Sequence, residues 1–175
     1  MRKDSFITVC ALALLGSIAI AAPPPVKKLP SFNDNGATLT ASGHLMGLAA
    51  GDYELKLSAT GTESTVCGDA GGVEPAPKEV VLTGTVVISA TADVPAAYAD
   101  LVSAAPEPGC LQAEGEPIAG QQEVSFTKAA IEIRPVQTDP EAAPLKPVRC
   151  IQCSFMQATV DGPAKPASCL TMYTC

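Results

Sequence analysis

The sequence predicts an all-β chain built as an antiparallel sandwich, and three observations lead there. Tyr53, Leu55, Leu57 and Ala59 alternate with Glu54, Lys56, Ser58 and Thr60, the period-two pattern of a strand buried on one face. Short runs rich in Thr, Val and Leu are separated by Gly and Pro at intervals typical of strand-turn-strand folds. No long stretch carries the 3.6-residue period of an amphipathic helix.

The elements follow in order. Residues 1–21 read as a secretory signal: Arg2 and Lys3 precede an apolar segment too short to span a bilayer comfortably, and Ala19-Ile20-Ala21 supplies small residues for cleavage before Ala22. Residues 22–36 open with Pro23-Pro24-Pro25 and end at Asn35-Gly36, which predicts a Pro-rich spacer running into a turn, outside the core. Residues 37–134 form the expected sandwich domain. Within it, turn chemistry at Gly51-Asp52 and Gly61 predicts a meander of strands over 37–46, 52–60 and 62–67.

The β-branched run 79–90 is interrupted by Gly84, which predicts a bulge or bend. Residues 94–103 are the one expected helix, with Asp93 as N-cap and Pro95 in the first turn. Val124 and Phe126 share one phase and Ile131 and Ile133 the other, so the strand must slip near Lys128-Ala129. Pro135, Pro140, Pro144 and Pro147 mark residues 135–148 as a linker or edge-hugging loop. Residues 149–175 are a cysteine-rich segment in which Asp161-Gly162-Pro163 joins two strands into a hairpin. A body of about 100 residues with these features has the size of an immunoglobulin-like domain. The buried tryptophan of antibody domains is missing, as the chain has no Trp.

Seven cysteines are present, and Cys10 leaves with the signal. Cys67, Cys110, Cys150, Cys153, Cys169 and Cys175 then enter an oxidising compartment where disulfides are the default. A hairpin tail would nest Cys150 with Cys175 and Cys153 with Cys169, leaving Cys67 for Cys110; spacing alone does not choose among the possible connectivities. The Cys150-x-x-Cys153 pair also admits zinc or thiol redox chemistry. The gap from Cys169 to Cys175 departs from a zinc ribbon, however, and the βαβ context of redox pairs is missing.

The run Ala41-Ser42-Gly43-His44-Leu45-Met46-Gly47-Leu48, then Asp52, Ser58-Ala59-Thr60-Gly61-Thr62, Cys67, Gly71-Gly72 and Pro75, resembles a group of secreted microbial β-sandwich proteins without an assigned activity. The resemblance spans about residues 38–134 and implies a fold more than a function. The cysteine-rich tail departs from that pattern.

Charge and composition narrow the function. The chain carries a net charge of −7, which becomes −8 once Arg2, Lys3 and Asp4 are removed, and its largest basic cluster is Lys27-Lys28. Nucleic acid is therefore not an expected partner, and neither is an anionic membrane surface. No second long apolar run follows the signal, so no membrane span is expected. His44 is the sole histidine, so any Ser-His-Asp or Cys-His mechanism would have to pass through it. The ordinary reading is a surface histidine, and no catalytic residue, cofactor or metal is assigned.

Glu107, Glu114 and Glu116 lie in a Pro- and Gly-containing loop around Cys110, the candidate binding loop; they are either solvated acids or oxygen donors to calcium. Expected, then, is a secreted, disulfide-stabilised, non-enzymatic interaction protein. It would serve as a microbial surface component or host-directed effector and meet an extracellular protein or cell-surface partner. The alternative is an inhibitor or ligand-binding module that presents a disulfide-fixed loop to a secreted hydrolase.

Overall fold

The computed structural model describes residues 29–67, 75–107, 109–110, 120–137, 143, 145–173 and 175. The expected signal, residues 1–21, lies outside them, as do Glu114 and Glu116. Nine strands, and no helix, are found among the described residues: β1 Ser31–Asp34, β2 Leu39–Leu45, β3 Gly51–Cys67, β4 Lys78–Ala90, β5 Ala96–Val102, β6 Gly120–Pro135, β7 Arg149–Phe155, β8 Gly162–Ala164 and β9 Pro166–Met172. They form two antiparallel sheets, ordered β5-β2-β1-β8 and β4-β3-β6-β7-β9.

The alternation that begins at Tyr53 does not stop at Gly61. β3 is one strand of 17 residues whose inward positions run from Tyr53 through Leu55, Leu57 and Ala59 to Glu63 and Thr65. The expected meander is thus corrected: Gly61 is a strand residue whose missing side chain admits a neighbour. A Cβ there would sit 2.7 Å from the Ser125 carbonyl oxygen, because β6 bulges at this point and pairs Thr60 with Lys128 but Gly61 with Phe126. The bulge leaves Thr127 and Lys128 both exposed and returns Ala129, Ile131 and Ile133 to the core, the phase slip that the sequence requires.

The expected helix over 94–103 is instead β5, paired with β2. Its residues Ala96, Tyr98 and Leu101 are buried, and Asp100 at φ 55° forms a bulge between Tyr98 and Leu101. Asp93, expected as an N-cap, has φ 64° in the turn that closes with Val94 N–H donating to the Thr91 carbonyl. Gly84 also differs from expectation, since β4 pairs with β3 without a break through Leu57 and Gly84. What requires glycine is the neighbouring sheet: a Cβ would lie 1.7 Å from the Val102 carbonyl oxygen. Here the end of β5 crosses β4, and Ala104 N–H donates to the Thr83 carbonyl at 2.8 Å, joining one edge of each sheet.

Three expected boundaries shift. The spacer 22–36 contains β1, whose Phe32 is 4% exposed and meets the Phe155 ring edge-on at 5.4 Å between centroids. The linker 135–148 starts inside β6, and its ends are tied by Val136 N–H to the Asp52 carbonyl and Val148 N–H to the Ile133 carbonyl. The cysteine-rich segment is not a separate unit, because β7 pairs with β6 over six residue pairs and β9 pairs with β7. Asp161-Gly162-Pro163 is not the hairpin turn: Gly162 and Pro163 belong to β8, which pairs with β1 in the other sheet before Lys165 returns the chain to β9. One core, drawn from Leu39, Leu55, Leu57, Leu101, Phe126, Ile131 and Ile133, lies between the two sheets.

Candidate functional site

Three disulfides link Cys67 to Cys110, Cys150 to Cys175 and Cys153 to Cys169. Cys153 and Cys169 face each other directly across β7 and β9, with Cα atoms 4.1 Å apart. The disulfide therefore staples the outer strand β9 to β7, its neighbour in the five-stranded sheet. Three disulfides fit an oxidising environment. No helix of the described residues is long and apolar enough to cross a membrane.

One end of the two-sheet body buries polar groups. Asp34 ends β1 at 2% exposure, accepting from Gly36 N–H at 3.0 Å and from the Thr159 hydroxyl. Thr159 in turn accepts from Phe126 N–H at 2.9 Å and donates its own N–H to the Phe126 carbonyl at 2.9 Å, so Asp34 fastens the four-stranded sheet to β6. Burial pushes the Asp34 carboxyl above its ordinary range, against the two hydrogen bonds that favour the charged form; Asp161 and Glu123 push it further up.

Beside this network, Glu63 is 2% exposed on β3. Its Oε1 accepts from Thr65 Oγ1 at 3.2 Å and Gln122 Nε2 at 3.1 Å, while Oε2 lies 3.2 Å from Lys78 Nζ and has no other polar partner. Gln122 Nε2 also donates to the Glu107 carbonyl. This holds the start of the candidate binding loop over the cluster, next to the Cys67–Cys110 link. The Glu107 side chain is exposed.

The opposite end is open. Because β8 covers only Phe32–Asp34 of β1, the chain at Leu29–Pro30 faces β9 across a cleft of about 340 Å³. Its walls include Met46, Ile151, Leu170 and Tyr173, and Arg149 stands among them. The Arg149 guanidinium donates to the Met46 carbonyl at 2.7 Å and lies 5.9 Å from the centre of the Tyr173 ring. Leu170 and Tyr173 are 66% and 75% exposed, and β9 is the outer strand of its sheet.

His44, exposed on β2, sits at the rim of this cleft. It is five residues along β2 from Leu39, which pairs with Asp34, so about 17 Å of strand separates it from the buried acids. The structure thus does not bring the sole histidine together with either buried carboxylate. Among the described residues no group of three or more His, Cys, Asp or Glu is placed to hold a metal ion.

Sequence reasoning missed Glu63, Gln122, Asp34 and Arg149. For Glu63 the signal was available, since it shares the inward phase of Tyr53 through Ala59. No family model matches the chain, and neither a curated protein nor a solved structure matches it.

Proposed function

We propose that this chain is a secreted, disulfide-stabilised interaction protein without catalytic activity, acting as a microbial surface component or host-directed effector. Its contact surface is the cleft between Leu29–Pro30 and β9. The observation that carries the reading is the cation in that cleft. In a chain of net charge −7, Arg149 is held by a backbone carbonyl and an aromatic ring beside exposed Leu170, Met46 and Tyr173. Such a wall suits an extended, partly acidic segment of a partner, which gains apolar contact from the side chains and backbone pairing from an outer strand. The Cys150–Cys175 and Cys153–Cys169 disulfides hold that wall in place before binding, which lowers the ordering cost of association.

The immunoglobulin-like reading belongs with this proposal. The arrangement β5-β2-β1 facing β4-β3-β6-β7 supports it, as the order of an immunoglobulin-like sandwich whose fourth strand has joined the sheet of the third, sixth and seventh. Strands β8 and β9 would then be additions to that plan.

The test is capture of partners from extracellular extracts with the wild-type protein and a Leu170→Asp, Tyr173→Ala variant, both positions being exposed. A partner bound by the wild type and lost with the variant, but kept by an exposed substitution such as Thr85→Ala, supports the cleft. Equal binding by all three removes it. The inhibitor reading keeps one observation in its favour. The loop that starts at Ser103 is fastened by Ala104 to Thr83, by Glu107 to Gln122 and by Cys110 to Cys67. Inhibition of a secreted hydrolase that Glu107→Ala abolishes would favour it over the cleft.

A further inference from the structure

The Glu63 cluster has a chemical consequence independent of partner binding. Thr65 and Gln122 are directly opposite residues of β3 and β6, so their side chains meet on the inner face of the sheet. Between them lies one carboxylate oxygen: Glu63 Oε1 accepts from the Thr65 hydroxyl at 3.2 Å and from the Gln122 carboxamide nitrogen at 3.1 Å. The nitrogen faces two acceptors, Glu63 Oε1 and the Glu107 carbonyl, which settles the orientation of the amide. Thr65 is 6% exposed, and Gly109 lies against it so closely that a Cβ there would meet Oγ1 at 2.8 Å. The Cys67–Cys110 disulfide keeps this cover in place.

A nucleophile, an acyl group and a base that touches both are the components of an acyl transfer. We propose that Thr65 and Gln122 join in an intramolecular ester, with Glu63 carrying the proton. The Thr65 Oγ1 attacks Gln122 Cδ, and its proton passes to Glu63 Oε1. The bond from Cδ to Nε2 then breaks as the same Glu63 oxygen hands that proton to the departing nitrogen, which leaves as ammonia. One C–O bond forms, one C–N bond breaks, and neither oxidant nor second reactant is consumed. Holding the groups on paired strands replaces a slow encounter by a fixed one, and the burial of Thr65 and Glu63 shields the ester oxygen from water.

The experiment is the intact mass of the secreted full-length product with its disulfides unreduced, followed by peptide mapping and treatment with hydroxylamine. The proposal predicts a mass one ammonia lower than the disulfide-bonded chain, a peptide joining Thr65 to Gln122, and release of that link by hydroxylamine, which cleaves esters. Thr65→Ser retains the link. Glu63→Gln loses it while the Cys67–Cys110 disulfide still forms, which separates lost chemistry from lost folding. An unmodified mass, deamidation of Gln122 to an acid, or an ammonia loss located elsewhere overturns the ester. A hydroxylamine-resistant link from Lys78 to Gln122 does so as well, and undiminished linkage in Glu63→Gln overturns the role of the carboxylate.

Discussion

Replacing Gly84 by alanine tests how the two sheets are joined. Alanine inside a strand ordinarily improves on glycine by about 0.5–1 kcal/mol, because glycine loses more backbone freedom on folding. At Gly84 the structure reverses the sign. The added Cβ would lie 1.7 Å from the Val102 carbonyl oxygen and 2.6 Å from its carbon, both backbone atoms with no rotamer to give way. Relief requires the end of β5 to move off β4 by more than an ångström.

That movement breaks the Ala104-to-Thr83 hydrogen bond, worth about 1 kcal/mol net. It also pulls on Ser103, which is 3% exposed and bonded to Leu39 through both its N–H and its hydroxyl. One buried group left unpaired there costs about 1–3 kcal/mol. Set against the backbone gain, the net is a destabilisation of about 1–3.5 kcal/mol. Equilibrium urea unfolding with disulfides intact, followed by far-ultraviolet circular dichroism since the chain has no Trp, reads this as a lower midpoint at unchanged slope. An unchanged or raised midpoint would refute the close crossing of the sheets and restore the bulge that the sequence alone suggests.

Two further outcomes are expected. Removing the Cys67–Cys110 link by paired Cys→Ser substitution frees a loop of sequence separation 43 and costs about 4 kcal/mol by chain entropy, read as a drop in thermal midpoint. Asp34 is held above its ordinary value of 3.8, mainly by burial, so its neutral form is the better one in the fold. Its contribution to stability is therefore complete below that unfolded value and is lost as pH rises through the higher folded one. Unfolding measured across this range should show Asp34→Asn retaining stability that the wild type loses, and parallel curves would contradict the assignment.

The sequence made the long strands visible where alternation was uninterrupted, and misled where a bulge altered the period. In β5 the residue Asp100, at φ 55°, sets Tyr98 and Leu101 three positions apart, a spacing that reads as a helical face. The same device in β6 sets Phe126 and Ala129 three apart, but there the flanking β-branched alternation exposed the slip. Gly84 and Gly61 punctuate their runs for a reason no linear pattern holds, the approach of backbone from elsewhere in the fold. β1 was hidden because prolines lead into it and its second inward residue is the acid Asp34, which pattern reading assigns to solvent.

The tail disulfides were legible once Cys150, Cys153, Cys169 and Cys175 were laid on a hairpin, since nested pairs are what antiparallel register brings together. The cleft was not legible. It arises because β8 is three residues long and leaves part of β1 uncovered, a tertiary fact without a local signature.

The measurement that bears most directly on the proposal of a secreted body stapled by its own cysteines is non-reducing peptide mapping of the protein recovered outside the cell, with thiol alkylation before and after reduction. The account predicts a mature chain starting at Ala22, no free thiol, and links of Cys67 to Cys110, Cys150 to Cys175 and Cys153 to Cys169. A free thiol at Cys150 or Cys153, or any other pairing of the six, would contradict it.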